Sequence, residues 1–402
     1  MSFQVIGRTV DQRTNANVVY CKCSVGKYLE LIGSNFSSFT IQRKKETHRA
    51  YSRLKKDLKN GALVPSITLA IKHHLVPDAI AMLNDADALP KFLSKVGSVD
   101  ILDGLQRTYI MKEILDEGHA FSPDQELLLE YWLEPDMGRL IYRMIILNAG
   151  QKAMSMRHQI ELLFMSMKET VAERIEGIDI FLERDVDKRD SPEKYSLGVL
   201  ASAYQSFMTK TTEINKSNLV ADGLNRDNIL DSSEKMLTEQ FDLFVNYFQK
   251  FKDIDALAWR HYEKSFDDVK YKELMAKSKL PESTLFDDEA LELQKLKAFR
   301  TGIKWFGADN SILSLFCAFA QFDGANRRDK VNTALERLKR SFENGQEDPF
   351  GIEKYELIKS DIDPRKSNVG QATRKLLING FKDYIRDEGE INMAECWLQA
   401  VI

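Results

Sequence analysis

The order of apolar and polar residues along the first 170 positions alternates between a strand-like and a helix-like period. Residues 18–23 are rich in β-branched and aromatic side chains, and this composition predicts a strand. Residues 47–59 carry apolar side chains at intervals of four, which predicts a helix with one apolar face. Asn60 and Gly61 then end that helix, because both tolerate the backbone conformation of a C-terminal cap.

Two short apolar runs predict further strands in this part of the chain. Residues 67–71 are apolar except for Thr68 and follow shortly after a proline. Residues 99–102 run directly into a turn at Asp103 and Gly104, after which a helical period begins. Residues 126–133 fit a strand and a helix about equally well, because a short apolar run has no clear period.

Beyond about residue 171 the apolar residues follow a helical period, with few strand signals. The clearest predicted helices cover residues 233–251, 291–304 and 331–343. Residues 215–233 and 344–351 lack that period and predict loops. At 402 residues the chain exceeds the usual size of a single hydrophobic core. We therefore expect an α+β fold, with an N-terminal domain over residues 1–170 and a mostly α-helical domain over residues 171–402.

The composition is that of an ordinary globular protein, with 43% hydrophobic and 29% charged residues. The formal net charge of −4 gives no general attraction for nucleic acid, so any such contact must come from a local basic patch. No run of about 18 apolar residues is present, and the N-terminal residues lack the apolar core of a signal peptide. These features predict a cytoplasmic protein that does not enter a membrane.

The cysteines predict free thiols rather than a disulfide or a zinc site. Cys21 and Cys23 are two positions apart. We expect them on opposite sides of the predicted strand, which disfavours a bridge between them. The other two are Cys317 and Cys396, and no second cysteine or histidine pair stands at zinc-ligand spacing.

The sharpest chemical feature is the predicted strand, turn and helix around residues 103–107. The start of a helix presents unpaired backbone N–H groups and the positive end of the helix dipole, and both attract phosphate. Gly104 lets the backbone approach a ligand closely. Arg107, one turn later, can grip the same phosphate with two N–H groups. Asp103 can hold a metal ion or position a water molecule.

The same turn has an interpretation that needs no ligand. Asp103 followed three positions later by Gln106 is a capping-box pattern, in which two side chains satisfy the first N–H groups of a helix. A glycine with an arginine nearby is a weak signal by itself. The local sequence leaves both interpretations open.

A second polar loop follows a helix predicted over residues 136–147. Asn148, Gln151 and Lys152 lie in this loop, and Ser155 is a suitable N-cap for a further helix through residue 168. Two such loops can hold a polyphosphate from two sides. A capped surface loop explains the same residues without a ligand.

Basic residues concentrate between positions 41 and 60, where eight lysines and arginines stand with two acidic residues. Such a patch is typical of contact with a nucleic-acid backbone, and its candidate residues are Arg43, Arg49, Arg53 and Lys56. A solvated helix face explains most charge runs of this kind.

Other chemistry finds little support in the sequence. Motifs of the Gly-x-Ser-x-Gly, His-Glu-x-x-His and Gly-x-x-x-x-Gly-Lys-Ser/Thr types do not occur. An aromatic stripe recurs at helical spacing and predicts core packing; its members are Phe241, Phe244, Tyr247 and Phe248.

The order of four segments resembles that of a known family. The segments are residues 41–43 (Ile-Gln-Arg), the helix-to-strand step at 58–65, residues 103–107 (Asp-Gly-Leu-Gln-Arg) and residues 148–152 (Asn-Ala-Gly-Gln-Lys). They resemble ParB/sulfiredoxin-like domains of the Asp-Gly-Gln-His-Arg type, over roughly residues 15–170. The family includes DndB-like proteins found beside DNA phosphorothioation genes, and related proteins beside deazaguanine DNA-modification genes.

The resemblance implies a domain that binds a nucleoside triphosphate with Mg²⁺. Several members hydrolyse the nucleotide or nick DNA, and they act in DNA modification, phage defence and its regulation. One departure matters, because Leu105 and Gln106 stand where the family has Gln followed by His or Gln. A ligand contact at Leu105 would then be lost, and hydrolysis assisted at Gln106 would be weak or absent.

The leading hypothesis is a nucleotide-dependent, DNA-associated protein of a bacterial modification or defence system. Its expected catalytic residues are Asp103, Gln106 and Arg107, with Asp103 also holding the metal ion. The expected nucleotide contacts are Gly104, Arg107, Asn148, Gln151 and Lys152, and the expected DNA contacts are Arg43, Arg49, Arg53 and Lys56. Replacing Arg107 with alanine is expected to abolish nucleotide binding and to leave the fold intact.

Alternative hypotheses stay open. A non-enzymatic DNA-binding regulator or adaptor would use the turn to hold DNA phosphate. A DNA nickase would need further carboxylates near Asp103, and the closest in sequence are Asp100 and Glu113. The helical domain offers a surface for protein partners, and the oligomeric state is open, a homo-oligomer included.

Overall fold

A computed structural model of the chain describes residues 3–33, 49–136, 138–140, 143, 168–181, 189–213, 234–279, 286–324, 327–362 and 368–400. The described residues fall into two units. The first draws on Met1–Met154, Leu162–Val171 and Ala221–Phe241, and the second on Ser155–Glu161, Ala172–Val220 and Asp242–Ile402. Most of the helix predicted at residues 136–147, the loop and helix predicted after it, and the loop predicted at 215–233 lie outside the described residues.

The first unit is built on a five-stranded sheet. Its strands are β1 (Gln4–Val10), β2 (Asn17–Ser24), β3 (Ile67–Ile71), β4 (Val99–Asp103) and β5 (Glu126–Leu133). They lie in the order β1-β2-β5-β3-β4, with β3 and β5 parallel and the other neighbours antiparallel. The central place of β5, paired on both sides, decides the ambiguous run at residues 126–133 in favour of a strand.

The helices of this unit lie between the strands in sequence. They are α1 (Val25–Ile32), α2 (Arg49–Lys59), α3 (Val76–Ala81), α4 (Ala88–Leu93) and α5 (Leu105–Asp116). Ser24 caps α1, because its Oγ accepts a hydrogen bond from the Lys27 N–H at 3.3 Å. Helix α2 ends as predicted, with Gly61 in a left-handed conformation at φ +84°.

Apolar side chains from the sheet and from these helices form one buried core. Cys21 and Cys23 are both fully buried in it. The prediction that they point to opposite sides was wrong, because side chains two positions apart on a strand share a face. Both are free thiols, as predicted, and so are Cys317 and Cys396.

The second unit is mainly helical, with a short parallel strand pair, β6 (Asp179–Phe181) and β7 (Lys194–Ser196). Helices α6 (Lys168–Arg174) and α8 (Glu234–Ser265) contain residues assigned to each unit. The remaining helices are α7 (Leu197–Thr209), α9 (Asp268–Lys277), α10 (Asp287–Ile303), α11 (Asp309–Gln321), α12 (Arg328–Glu343), α13 (Ile352–Ser360), α14 (Val369–Arg386) and α15 (Met393–Gln399).

Aromatic side chains fill the interior of the second unit. Phe244 and Phe248 of α8 contact Phe316 of α11, with ring centroids 5.1 and 5.6 Å apart. All four members of the predicted aromatic stripe are at most 1% exposed, which confirms their role as core residues.

The coarse prediction of an α+β chain, with an N-terminal sheet and a mainly helical C-terminal region, is confirmed. The three helices predicted at residues 233–251, 291–304 and 331–343 are confirmed, and β1, β6 and β7 were not predicted. Among the helices that the structure describes, none is long and apolar enough to cross a membrane.

Candidate functional site

The turn between β4 and α5 depends on one glycine. Gly104 is the N-cap of α5 and has a φ of +98°, a conformation that residues with a Cβ rarely adopt. A Cβ at this position would also lie 3.1 Å from both γ-carbons of Ile67 on β3. The glycine therefore allows a sharp turn and a close approach of β3 to that turn.

The Arg107 side chain folds back toward the start of β3. Its Nη2 donates a hydrogen bond to Oδ2 of Asp103 at 2.6 Å. Its Nη1 donates to the carbonyl oxygens of Pro65 at 2.5 Å and Ser66 at 3.2 Å. The Arg107 side chain is 14% exposed. It thus ties α5 to the segment before β3, and its charge neutralises the Asp103 carboxylate.

The capping box expected from Asp103 and Gln106 does not form. Gly104, rather than Asp103, is the N-cap, and it contributes no side-chain hydrogen bond. Because the first N–H groups of a helix have no acceptor within the helix, this end of α5 keeps donors that an anion can use. Gln106 is exposed at the same end.

Two buried hydroxyl groups stabilise the turn through hydrogen bonds on its interior side. Thr108 Oγ donates to the Gly104 carbonyl oxygen at 2.9 Å, and the Tyr28 hydroxyl lies 2.7 Å from the same Oγ. Tyr28 is fully buried, and this burial raises its pKa above the ordinary value. The hydroxyl therefore stays protonated and acts as a fixed support rather than a titrating group.

One face of α2 is neutralised by acidic side chains of α5. Lys55 Nζ lies 2.7 Å from a carboxylate oxygen of Glu113 and 2.5 Å from one of Glu117, and Lys59 Nζ lies 2.8 Å from Glu117. These hydrogen bonds lower the pKa of Glu117 to about 2, with Lys55 contributing most. Two of the cations in the basic run are thus already compensated.

The direction of α2 follows from these pairs. Tyr51 and Lys55 contact Glu113, while Lys55 and Lys59 contact Glu117. The pairs advance together along both helices, so α2 and α5 run in the same general direction. Their N-terminal ends, which carry the positive ends of the helix dipoles, therefore point the same way.

The exposed face of α2 carries Arg53, Lys56 and one acid, Asp57, and so has a net positive charge. Arg53 and Lys56 are exposed, and neither has an ion-pair partner among the residues that the structure describes. In the described part of α2, the lysines that face α5 are thus paired, whereas Arg53 and Lys56 have no ion pair with a described residue.

The structure brings part of the predicted site together. Asp103, Gly104, Gln106 and Arg107 share the turn, whereas Arg53 and Lys56 lie on α2. The remaining candidates, namely Arg43, Asn148, Gln151, Lys152 and the Arg49 side chain, lie outside the described residues.

The carboxylates considered for metal binding are dispersed. Asp100 is 5% exposed within β4, and Glu113 is bound by Lys55 and Tyr51. Over the described ranges, no group of three or more His, Cys, Asp or Glu side chains could hold a metal ion. Asp103 is the one carboxylate in residues 103–107, and Arg107 already binds it.

The second unit contains a buried polar cluster that the sequence did not predict. The Arg189 Nη2 and the Tyr195 hydroxyl both donate to Oδ2 of Asp255 on α8. Burial raises the pKa of Asp255 to about 6, while Arg189 and Tyr195 act in the lowering direction. The sequence feature that could have indicated this cluster is Asp255, an aspartate on the buried face of an aromatic-rich helix.

Comparisons with family models, with curated proteins and with solved structures find no match to this chain.

Proposed function

We propose that the chain is a DNA-associated protein that contacts the phosphate backbone through the exposed face of α2 and the N-terminal end of α5. In this proposal it acts as a non-enzymatic regulator or adaptor of a bacterial DNA-modification or defence system in the cytoplasm. The observation that carries the proposal is the division of α2, in which Lys55 and Lys59 are paired but Arg53 and Lys56 have no ion-pair partner within the described ranges.

The physics of backbone contact favours such a surface. Free cations release condensed counterions when they meet DNA phosphates, whereas cations already paired with carboxylates gain much less. A helix N-terminus adds N–H donors for one further phosphate. The assignment of the first unit to the ParB/sulfiredoxin-like domains, which rests on the order of the four sequence segments, is part of this proposal.

Binding of duplex DNA tests it directly. We expect the Arg53→Gln/Lys56→Gln variant to bind about tenfold more weakly at roughly 0.1 M salt, as two lost phosphate contacts predict. Fluorescence anisotropy with a labelled duplex measures this affinity. The matched control is Lys91→Gln/Lys95→Gln, which removes two exposed charges elsewhere in the same unit. Equal affinity of both variants and the unaltered protein would refute the proposed contact face.

A second candidate function is binding of a nucleoside triphosphate with Mg²⁺ at the turn, with or without hydrolysis. It is favoured by the uncapped N-terminal end of α5 beside Asp103. Arg107 would have to exchange the carbonyl oxygens of Pro65 and Ser66 for phosphate oxygens. Asp103 would then be free to hold the metal ion, and Gln106 would orient a water molecule. DNA nicking ranks third, since it needs further carboxylates.

Nucleotide binding and hydrolysis with ATP, GTP and CTP, with and without DNA, separate these candidates. Because Arg107 makes hydrogen bonds that stabilise the fold, Arg107→Lys is the informative variant. It keeps the positive charge but loses the bidentate hydrogen-bonding geometry of the guanidinium. Hydrolysis that is stimulated by DNA and lost in this variant would replace the regulator hypothesis with a nucleotide-dependent enzyme. Absence of binding for every nucleotide would support the regulator.

A further inference from the structure

An open cavity of about 630 Å³ in the second unit is lined mainly by cations. Five of its seven lining residues are basic, namely Lys210, Arg327, Lys330, Lys382 and Arg386. The other two are Gln321 and Phe322. The whole chain has a net charge of −4, so this concentration does not follow from composition.

Four helix ends converge to build the cavity. Lys210 follows α7, and Gln321 and Phe322 end α11. Arg327 and Lys330 lie at the start of α12, while Lys382 and Arg386 lie toward the end of α14. The cations are far apart in sequence, so the fold brings them together.

Nearby carboxylates neutralise part of this charge. Lys330 Nζ lies 3.1 Å from Oε1 of Glu388, and Arg386 Nη1 lies 2.8 Å from Oδ1 of Asp383. The nearby Asp323 is paired with Arg328 at 2.6 Å.

Three cations of the lining remain uncompensated. Lys210, Arg327 and Lys382 have no ion pair with any residue in the described ranges. All three nevertheless line the same cavity.

Favourable interaction with a helix dipole explains the positions of only some of the cations that line the cavity. Lys210 is the C-cap of α7 and Arg386 lies in the last turn of α14, where a positive charge stabilises a helix. Arg327 is the N-cap of α12, where the dipole opposes a cation, and its guanidinium has no acceptor that could cap the first N–H groups. Asp329 places one negative charge in the first turn of α12, but among the described residues it forms no ion pair with Arg327. An anion bound at this end would therefore compensate the arginine.

We propose that this cavity binds a small molecule that carries two or more linked phosphate groups. The three uncompensated cations supply charge, and the first N–H groups of α12 supply further donors. The volume lies within the range of small-molecule sites. Phe322, which is 9% exposed, gives the cavity an apolar element on which an organic group can rest.

Calorimetric titration of the full chain with sodium tripolyphosphate, and separately with ATP, tests this site. We expect both to bind, and we expect Arg327→Gln and Lys382→Gln each to weaken binding about tenfold. The matched control is Arg340→Gln, because Arg340 is an exposed arginine of the same helix outside the cavity. Equal affinities for the two ligands would show that the cavity recognises only the phosphate chain. Tighter binding of ATP would show that it also contacts the nucleoside.

A second measurement separates binding from folding. Arg327→Gln removes a cation from a helix N-terminus, so the ligand-free variant should melt at the same temperature as the unaltered protein or slightly higher. Binding that is lost while stability is kept would therefore support the proposal.

Several results would overturn it. Tripolyphosphate and ATP both failing to bind at millimolar concentration would do so, as would affinities unchanged in Arg327→Gln and Lys382→Gln. Binding of oligonucleotides alone would indicate a nucleic-acid surface instead. ATP binding that is lost in Arg107→Lys but kept in Arg327→Gln would place the nucleotide at the β4–α5 turn, so this proposal and the nucleotide candidate above fail separately.

Discussion

Gly104 is constrained by its backbone conformation and also by the space that Ile67 leaves. We expect Gly104→Ala to lower the free energy of unfolding by about 2 to 4 kcal/mol, because left-handed strain and a steric clash add together. Gly118→Ala is the matched control; Gly118 has a φ of +82° but no atom within 4 Å of an added Cβ. It should cost about 1 kcal/mol. Urea unfolding measures both variants. Equal losses in the free energy of unfolding would show that the Ile67 side chain can move away from the added Cβ without cost.

The Asp255 cluster predicts a pH-dependent stability. The pKa of Asp255 is raised from 3.8 to about 6 in the folded protein. The folded state therefore binds the proton more tightly, and the stability gained from this is complete below pH 3.8 and lost as the pH rises through about 6. Arg189→Met should leave the carboxylate buried without its cation and cost about 3 to 5 kcal/mol near pH 8.

The same variant provides the test of sign. At about pH 4 the Asp255 carboxylate is protonated and needs no cation, so the loss caused by Arg189→Met should shrink. Thermal unfolding of both proteins across this range gives the comparison. A loss that stays constant with pH would show that Arg189 acts through packing against Tyr195 and Trp259, whose rings lie 5.0 and 5.2 Å from its guanidinium carbon.

At the residue scale the sequence predicted the turn between β4 and α5, but the capping-box interpretation of that turn was wrong. Asp103 and Gln106 suggested a capping box, yet Arg107 holds Asp103. The other acceptors of Arg107 belong to Pro65 and Ser66, more than forty positions earlier in the chain. A local pattern cannot contain such a contact. The expectation that Arg107→Ala leaves the fold intact is accordingly revised, since that change removes a tertiary contact.

Among the helices, α14 offers a matched pair of glycines. A Cβ on Gly380 would lie 2.2 Å from two ring carbons of Trp397 on α15, and Trp397 is fully buried. Gly380→Ala should therefore separate α14 from α15 and cost about 3 kcal/mol. Gly370 lies in the first turn of α14, and its added Cβ would make only ordinary contacts at 3.4 Å or more. Gly370→Ala should be neutral or gain up to about 1 kcal/mol.

Chemical denaturation with tryptophan fluorescence reads out both changes, since Trp397 is itself the residue displaced. A neutral Gly380→Ala variant would mean that α15 can shift without loss of packing.

Elements with a clear local signal, either a helical period or a run of β-branched and apolar residues, were predicted well, whereas β1 and β5 were not. Helix α2 and strands β2, β3 and β4 match their predicted positions within about two residues. Strand β1 was missed because its polar and apolar residues are mostly exposed along an edge, so burial left little pattern. The run at residues 126–133 became a strand through hydrogen bonds to β2 and β3, which lie far away in sequence.

For the molecule as a whole, the net charge of −4 makes any affinity for DNA a local property. The logarithm of the binding constant should fall linearly with the logarithm of salt concentration, and each phosphate contact contributes about 0.9 to the slope. We expect Arg53→Gln/Lys56→Gln to reduce that slope by about 1.8.

Anisotropy titrations at several potassium chloride concentrations give the slope, and the Lys91→Gln/Lys95→Gln control should leave it unchanged. An equal reduction in both variants would indicate attraction by the diffuse field of the unit rather than by α2.

The buried thiols give each unit its own reporter of transient opening. Cys21 and Cys23 lie in the first unit, and Cys317 and Cys396 lie in the second. Burial raises the pKa of Cys317 to about 11 and that of Cys396 to about 12, and it acts in the same direction on the other two. Alkylating reagents attack exposed thiolates, so the native chain should resist them. Any modification therefore reports transient opening of the unit that contains the modified cysteine. Mapping the modified peptides then shows which unit opens first, with no engineered label in the chain.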